Sequence, residues 1–333
     1  MTQFVENLMS RASKLAKTIA LAEGTDVRAA KAAEILTKKN VCKVVLIGNE
    51  DEIKAKFPEI DFTGVSFDDP KTSEHRAEYA NTLYELRKAK GMTEEQALNI
   101  VTNNNMFYAC VALKRGDVDG VVGGAVFSSA DVSRAAFQVI KAAPGISSVS
   151  SCFVMVPPED FKYKKYPAYI FSDCAVIPYP TSDQLSDIVV AAAGSAKKIC
   201  EMDPKIAMLS FSTKGSANHD SVEKVRVAYQ KVREEHPEIV VDGELQLDAS
   251  LVDSVASQKA PGSPVAGQAN VLVFPNLDAG NIGYKIAQRF GNCMAIGPIM
   301  QGLALPVNDL SRGCVAEDIA AVAAITALQS VKD

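Results

Sequence analysis

The sequence predicts an α/β protein of two domains with mainly parallel sheets. Three observations lead there. Short apolar runs alternate with helical patterns along most of the chain, as in parallel strands joined by crossover helices. The 333 residues exceed one ordinary core, so two domains are expected. A "PG" at 144–145 interrupts the alternation and marks a domain boundary near 146.

The elements follow in order. "TIALA" (18–22) reads as a buried strand, followed by the helical "VRAAKAAEILTKK", and "KVVLIG" (43–48) as the next strand. Helical periodicity predicts long helices over about 71–89 and 93–115. "GVVGGA" (120–125) is a strand end, and "SSADVSRAAFQVIKAA" a helix entered through serine caps. Beyond the break, "SCFVMVP" and "PAYIFS" read as strands, and "TSDQLSDIVVAAAGSAKKIC" as a helix capped by Thr181 or Ser182. "KIAMLSFS", "IVVDGE" and "NVLVFP" are further strands, and "SVEKVRVAYQKVREEH" and "GNIGYKIAQRFG" further helices. The last helix covers roughly 316–330.

Composition narrows the function. Hydrophobic residues at 47 % and charged residues at 23 % are those of a globular protein. A net charge of −5 argues against nucleic acid, and the basic "KYKKYP" (162–167) reads as a solvated hairpin or loop. The seven cysteines are scattered and never in a CxxC pair, so reduced thiols and a cytoplasmic location are expected. The N-terminus carries Glu6 and lacks the apolar core of a signal peptide, and no run is long enough to span a bilayer. His75, His219 and His236 are far apart and read as surface residues, so neither a metal site nor a serine–histidine–aspartate triad is expected.

Ligands of such folds collect at the carboxyl ends of strands. "GGAVFSSAD" (123–131) fits neither a dinucleotide fingerprint nor a P-loop. Ser128 and Ser129 sit where helix caps sit, and Arg134 lies further along that helix. In "FSTKGSANHD" (211–220), Ser212, Thr213 and Lys214 offer hydroxyls and an ammonium to an anion; equally, the stretch reads as a polar loop capping a helix at Asp220 or Ser221. Arg87 ends a helical pattern, where a cation complements the dipole, and Lys285 is ambiguous in the same way. "NDLSRGCVAEDI" (308–319) crowds Ser311, Arg312, Cys314 and Asp318 at the entrance of the last helix. Read locally, it is a capped helix with a surface arginine.

The stretches "SFSTKGSA", "VDGELQLDASLV", "APGSPVAGQANVLVFPNLDAGNIGYKIAQR", "GPIMQGLALPVNDLSRG" and "DGVVGGA" resemble the phosphate acetyltransferases, in their short single-module form. The resemblance runs from "TIALAEGTD" nearly to the C-terminus. It implies the reaction acetyl-CoA + phosphate ⇌ CoA + acetyl phosphate, with CoA as substrate and no bound cofactor. It also implies a homodimer, and two α/β domains with an interdomain cleft like those of the isocitrate and isopropylmalate dehydrogenases. The C-terminal segment then completes the first domain, giving 1–146 plus 297–333, with 147–296 as the second. The family's catalytic motif falls on Ser311, Arg312 and Asp318, and its two cleft arginines on Arg87 and Arg134.

On this basis Arg312 holds the acyl phosphate, where a guanidinium can be bidentate. Ser311 donates to the phosphate or carbonyl oxygen, Arg87 and Arg134 hold phosphate or the anions of CoA, and Asp318 takes the thiol proton. A thiol near 8.5 and an aspartate near 3.9 are mismatched by about 6 kcal/mol, so Asp318 must be desolvated and the thiol must lie beside cations. The rival mechanism makes Cys314 a nucleophile activated by the helix terminus and Arg312, through an acetyl-enzyme. Alternative functions are a phosphate butyryltransferase, a nicotinamide-dependent decarboxylating dehydrogenase, which would need an aspartate metal cluster, and a non-catalytic acyl-CoA-binding regulator.

Overall fold

The structure is a computed structural model that describes residues 2–331. The chain divides into two compact units, Met1–Pro144 with Leu303–Asp333, and Gly145–Gly302.

In the first unit the order is α1 (Gln3–Ser13), β1 (Thr18–Leu21), α2 (Val27–Lys38), β2 (Lys43–Ile47), α3 (Glu50–Lys56), β3 (Val65–Asp68), α4 (Arg76–Arg87), α5 (Glu94–Asn103), α6 (Asn105–Arg115), β4 (Gly120–Val122) and α7 (Ser129–Ala135). After the second unit the chain returns as β11 (Val307–Asn308) and α13 (Ala316–Gln329). The sheet runs β11-β4-β1-β2-β3 and every pairing in it is parallel. The carboxyl ends of β11, β4 and β1 are therefore neighbours on one edge of the sheet, although they lie far apart in sequence.

Burial explains α13. Ile319 through Leu328 are all buried, as expected of a helix that is apolar all round. It packs against α1, α2, β4 and β1. Gly120 permits the contact with β4, since a Cβ there would lie 2.4 Å from the Thr326 methyl group. The buried Asn308 amide donates to Thr326 Oγ1 (2.8 Å) and Gln329 Oε1 (2.7 Å), tying the short strand β11 to the same helix. The opposite face of the sheet is covered by α4, α6 and α7 around Tyr79, Leu83, Met106 and Tyr108.

The second unit contains β5 (Ser150–Val156), β6 (Tyr169–Ser172), α8 (Ser182–Cys200), β7 (Ile206–Leu209), α9 (Asp220–Glu235), β8 (Val241–Leu245), α10 (Leu247–Leu251), α11 (Asp253–Lys259), β9 (Val271–Val273), α12 (Leu277–Arg289) and β10 (Met294–Gln301). Its sheet runs β10-β5-β6-β9-β7-β8. The β6-β9-β7-β8 part is parallel, and β5 pairs antiparallel with both β6 and β10. Phe153 stacks on Tyr284 at a centroid distance of 3.9 Å, anchoring α12 to the sheet.

Several expectations are corrected. The return to the first unit falls after Gly302 rather than at 297, because β10 pairs with β5 out to Gln301↔Ser150. The 71–89 pattern forms a helix only over Arg76–Arg87, and the 93–115 pattern breaks at Asn104, whose side chain accepts the N–H groups of Met106 and Phe107 and so starts a new helix. The helix after β4 ends at Ala135 and widens into a π-type turn over Ala136–Ile140. The cap of α9 is His219, not Asp220 or Ser221. The short β3 and β11, and β10, carry no period-2 signal strong enough to separate them from loops.

Candidate active site

Three loops meet at the carboxyl ends of β1, β4 and β11. Glu23, just beyond β1, is buried, and its carboxylate fills the loop after β4. Oε2 accepts the N–H groups of Gly124 (3.0 Å) and Ala125 (2.8 Å), and Oε1 those of Val126 and Phe127 (both 2.7 Å). The glycine-rich loop is thus an anion nest whose occupant is a side chain of the protein.

Arg28, in the first turn of α2, joins the three loops. Its Nε and one terminal nitrogen hold Asp26 bidentately, both at 2.9 Å. That nitrogen also donates to the Ala125 carbonyl (2.8 Å), and the other donates to the carbonyls of Arg312 (2.8 Å) and Cys314 (3.4 Å). The Ser311–Cys314 turn is closed by the Cys314 N–H donating to the Ser311 carbonyl (2.9 Å) and the Gly313 N–H to Ser311 Oγ (3.3 Å). The Arg312 guanidinium projects outward, exposed, with no hydrogen bond to any described residue.

Asp318 lies in the first turn of α13 and accepts the Val315 N–H at 3.0 Å. Burial pushes its carboxyl above the ordinary aspartate range; the Val315 N–H opposes the rise and neighbouring Glu317 adds to it. The helix entrance therefore desolvates this acid instead of only stabilising its charge, the direction required of a proton acceptor.

Cys314 departs from the activated-thiol expectation. Burial raises its pKa to about 11, against the opposing charge of Arg28. The cation beside the sulfur is Arg28, at 3.9 Å, rather than Arg312. Such a thiol is almost wholly protonated at neutral pH.

Ser128 caps α7, with its Oγ at 2.6 Å from Asp131 Oδ2, and Ser129 is exposed on the first turn. Arg134 pairs with Asp131 at 2.7 Å on the exposed face of α7. Arg87 ends α4 and lines a surface pocket of about 420 Å³ with Lys90, Gln96 and Asn99. Its Nε is buried without a hydrogen-bond partner. None of residues 309–318 lines that pocket.

In the second unit the predicted anion loop is already satisfied from within. Ser212 Oγ (2.8 Å), the Gly215 N–H (2.9 Å) and Arg226 Nε (3.0 Å) all reach the buried Glu244 carboxylate. Burial raises the pKa of Glu244, but Arg226, Gly215 and Ser212 outweigh it and bring the value down to about 2. Lys214 is ion-paired with buried Asp242, and Thr213 Oγ1 accepts the Gln246 N–H at 2.9 Å. Lys285 reaches Asn281 at 2.7 Å. In this conformation Ser212 and Lys214 serve carboxylates of β8, Thr213 the Gln246 backbone and Lys285 the Asn281 amide, not an open anion site.

Sequence reasoning missed Glu23, Arg28 and Asp309, the last buried directly after β11. The available signal was an acid just past a buried strand, or an arginine in the first turn of the helix that follows.

A serine and an exposed arginine can hold an anion, and a desolvated carboxylate can accept a proton, so the turn at the entrance of α13 is the candidate site for transfer to or from an anionic substrate. The comparisons narrow the class. Residues 3–327 match the family described as phosphate acetyl/butaryl transferase, and the chain belongs to it. It is 50 % identical to the phosphate acetyltransferase of Acetivibrio thermocellus over 98 % of both chains. Among solved structures, it is similar to a phosphotransacetylase from Streptococcus pyogenes (40 % identity, TM-score 0.89, 99 % of both chains) and to one from Staphylococcus aureus (42 %, 0.87, 98 % of both).

Proposed function

We propose that the protein is a phosphate acetyltransferase, moving an acetyl group reversibly between CoA and phosphate by direct attack in a ternary complex. CoA, acetyl phosphate and phosphate enter as substrates, and no resident cofactor is required. The observation that carries this reading is the Ser311–Arg312 turn, held from behind by Arg28 and presenting an unpartnered guanidinium at the entrance of the helix whose first turn carries a desolvated Asp318. In the direction that consumes acetyl phosphate, the CoA thiol gives its proton to Asp318. Sulfur forms the new C–S bond, the C–O bond to phosphorus breaks with its electron pair, and phosphate departs carrying the proton. Arg312 and Ser311 hold the acyl phosphate and stabilise the oxygen that gains charge. Arg87 and Arg134 hold the anions of CoA, with Ser128 and Ser129 at the α7 entrance. Ser212, Thr213, Lys214 and Lys285 of the second unit contribute only if CoA displaces their present partners.

The curated relatives favour acetyl over butyryl transfer. Retention of Ser311, Arg312 and Asp318 together favours an enzyme over a regulator. The test is phosphate-dependent CoA release from a short acyl-CoA series. Arg312→Ala should lower kcat/KM by about 10³-fold or more, as loss of a transition-state charge contact does. Turnover near the parent level would remove the assignment.

We also propose a cytoplasmic homodimer. Among the described residues no helix is long and apolar enough to cross a membrane. On α12, Ile282 (58 % exposed), Ile286 (52 %) and Phe290 (91 %) form a stripe at four-residue spacing that a second copy would cover. A monomeric mass in sedimentation at micromolar concentration would contradict the dimer.

A further inference from the structure

Asp309 is the last residue before the Leu310–Ser311–Arg312 turn and is 2 % exposed. Among the described residues, only its Oδ1 and Arg87 Nε are buried side-chain polar atoms without a hydrogen-bond partner. The contrast with its neighbours is informative. Asn308 uses its amide on α13, and Glu23 takes the four N–H groups of residues 124–127. Those four N–H groups are therefore not open to Asp309. Room for its carboxylate comes from Gly124, where a Cβ would lie 2.1 Å from Oδ1. Gly124 also has φ 116°, a conformation that a side chain would strain.

A buried carboxylate with one oxygen left without a partner is a poor structural device, since an asparagine or an apolar residue would fill the space at lower cost. Three residues along the same turn stands Arg312, whose guanidinium also lacks a hydrogen-bond partner. The charged groups that bear on Asp309 are Glu23, from the end of β1, and Arg312; the Ser129 hydroxyl of α7 and the Leu310 amide hydrogen-bond to its carboxyl group and leave Oδ1 without a partner.

We infer that Asp309 is a positioning residue for Arg312: its buried negative charge orients the guanidinium, so that the Ser311–Arg312 turn meets the acyl phosphate in one geometry. The inference rests on the reading that Ser311 and Arg312 hold the acyl phosphate. Burial raises the Asp309 carboxyl to about 6, so the orienting charge is present at pH 8 and is lost on acidification through that value.

The experiment compares the full-length parent with Asp309→Asn. At pH 8, kcat/KM for acetyl phosphate should fall about tenfold or more, mainly in kcat, with KM for CoA unchanged. The thermal midpoint should stay level or rise, because an unpaired buried charge has been removed. The parent-to-variant activity ratio should shrink toward one as pH falls from 8 to 5, which a purely structural role would not produce. In an Arg312→Ala background, Asp309→Asn should cost nothing further. Full activity in Asp309→Asn, a ratio independent of pH, or a parallel loss of stability and activity would overturn the inference. If Arg312→Ala itself is active, the reading of the site fails; if it is inactive while Asp309→Asn is not, only the positioning role fails. Should Asp309→Asn not fold, the parent's own profile decides, since kcat without an acid limb near pH 6 excludes the role.

Discussion

Glu23 offers the sharpest test of how the site is built. Its carboxylate accepts four backbone N–H groups at 2.7–3.0 Å, two per oxygen, in a buried position. Glu23→Gln keeps the shape and replaces one oxygen with an NH2 group. The remaining amide oxygen can serve two N–H groups at neutral strength, and the other two then face a donor. Leaving two buried N–H groups unsatisfied costs about 1–3 kcal/mol each, and the retained pair loses its charge assistance. Relief of the desolvation of a buried charge returns part of this. The expected net loss is about 3–5 kcal/mol, a large share of the roughly 5–15 kcal/mol that holds a domain folded. For a unit of this size it corresponds to a fall in thermal midpoint of about 10 °C. Hydrogen exchange supplies the local readout: amides 124–127 should be protected in the parent and exchange faster in the variant than amides in β2. A midpoint within about 2 °C of the parent, with those amides still protected, would show that the nest does not depend on the carboxylate.

Other outcomes follow from the same geometry. Cys314→Ala should keep turnover within about threefold, and no acetyl-enzyme should form from acetyl-CoA without phosphate, because a thiol raised to about 11 is a poor nucleophile at neutral pH; a trapped acetyl group on Cys314 would reverse this. Asp318→Asn should slow the thiol-consuming direction by about 10²–10⁴-fold, as loss of a general base does, while stability drops by only about 1 kcal/mol through the weakened Val315 cap. Near-parental rates would end its assignment as base. Glu244, held at about 2, contributes stability that is fully present above the ordinary glutamate value near 4.3 and is lost as pH falls through about 2. Urea midpoints should therefore decline across that acid window, and Glu244→Gln should flatten the decline; an unchanged slope would refute the linkage.

Taken alone, the sequence determined the alternation of strands and helices, and through the matched motifs it determined the family and singled out Ser311, Arg312 and Asp318 as the residues to test. Those features are local: periodicity, caps and short contiguous stretches carry them. Only the tertiary structure decided which groups stand behind those residues. Glu23 reaches residues 101–104 positions away, and Arg28 reaches Arg312 across 284. Such contacts arise because parallel order brings β11 beside β4 and β1, a neighbourhood that no window of sequence contains. The same distance rule explains the reversals at Cys314 and Lys214. A cysteine at a helix entrance and a lysine in a hydroxyl-rich loop both read as open to ligands. Their chemistry is set instead by burial and by carboxylates supplied from elsewhere in the fold, since desolvation and charge pairing are properties of the packed environment.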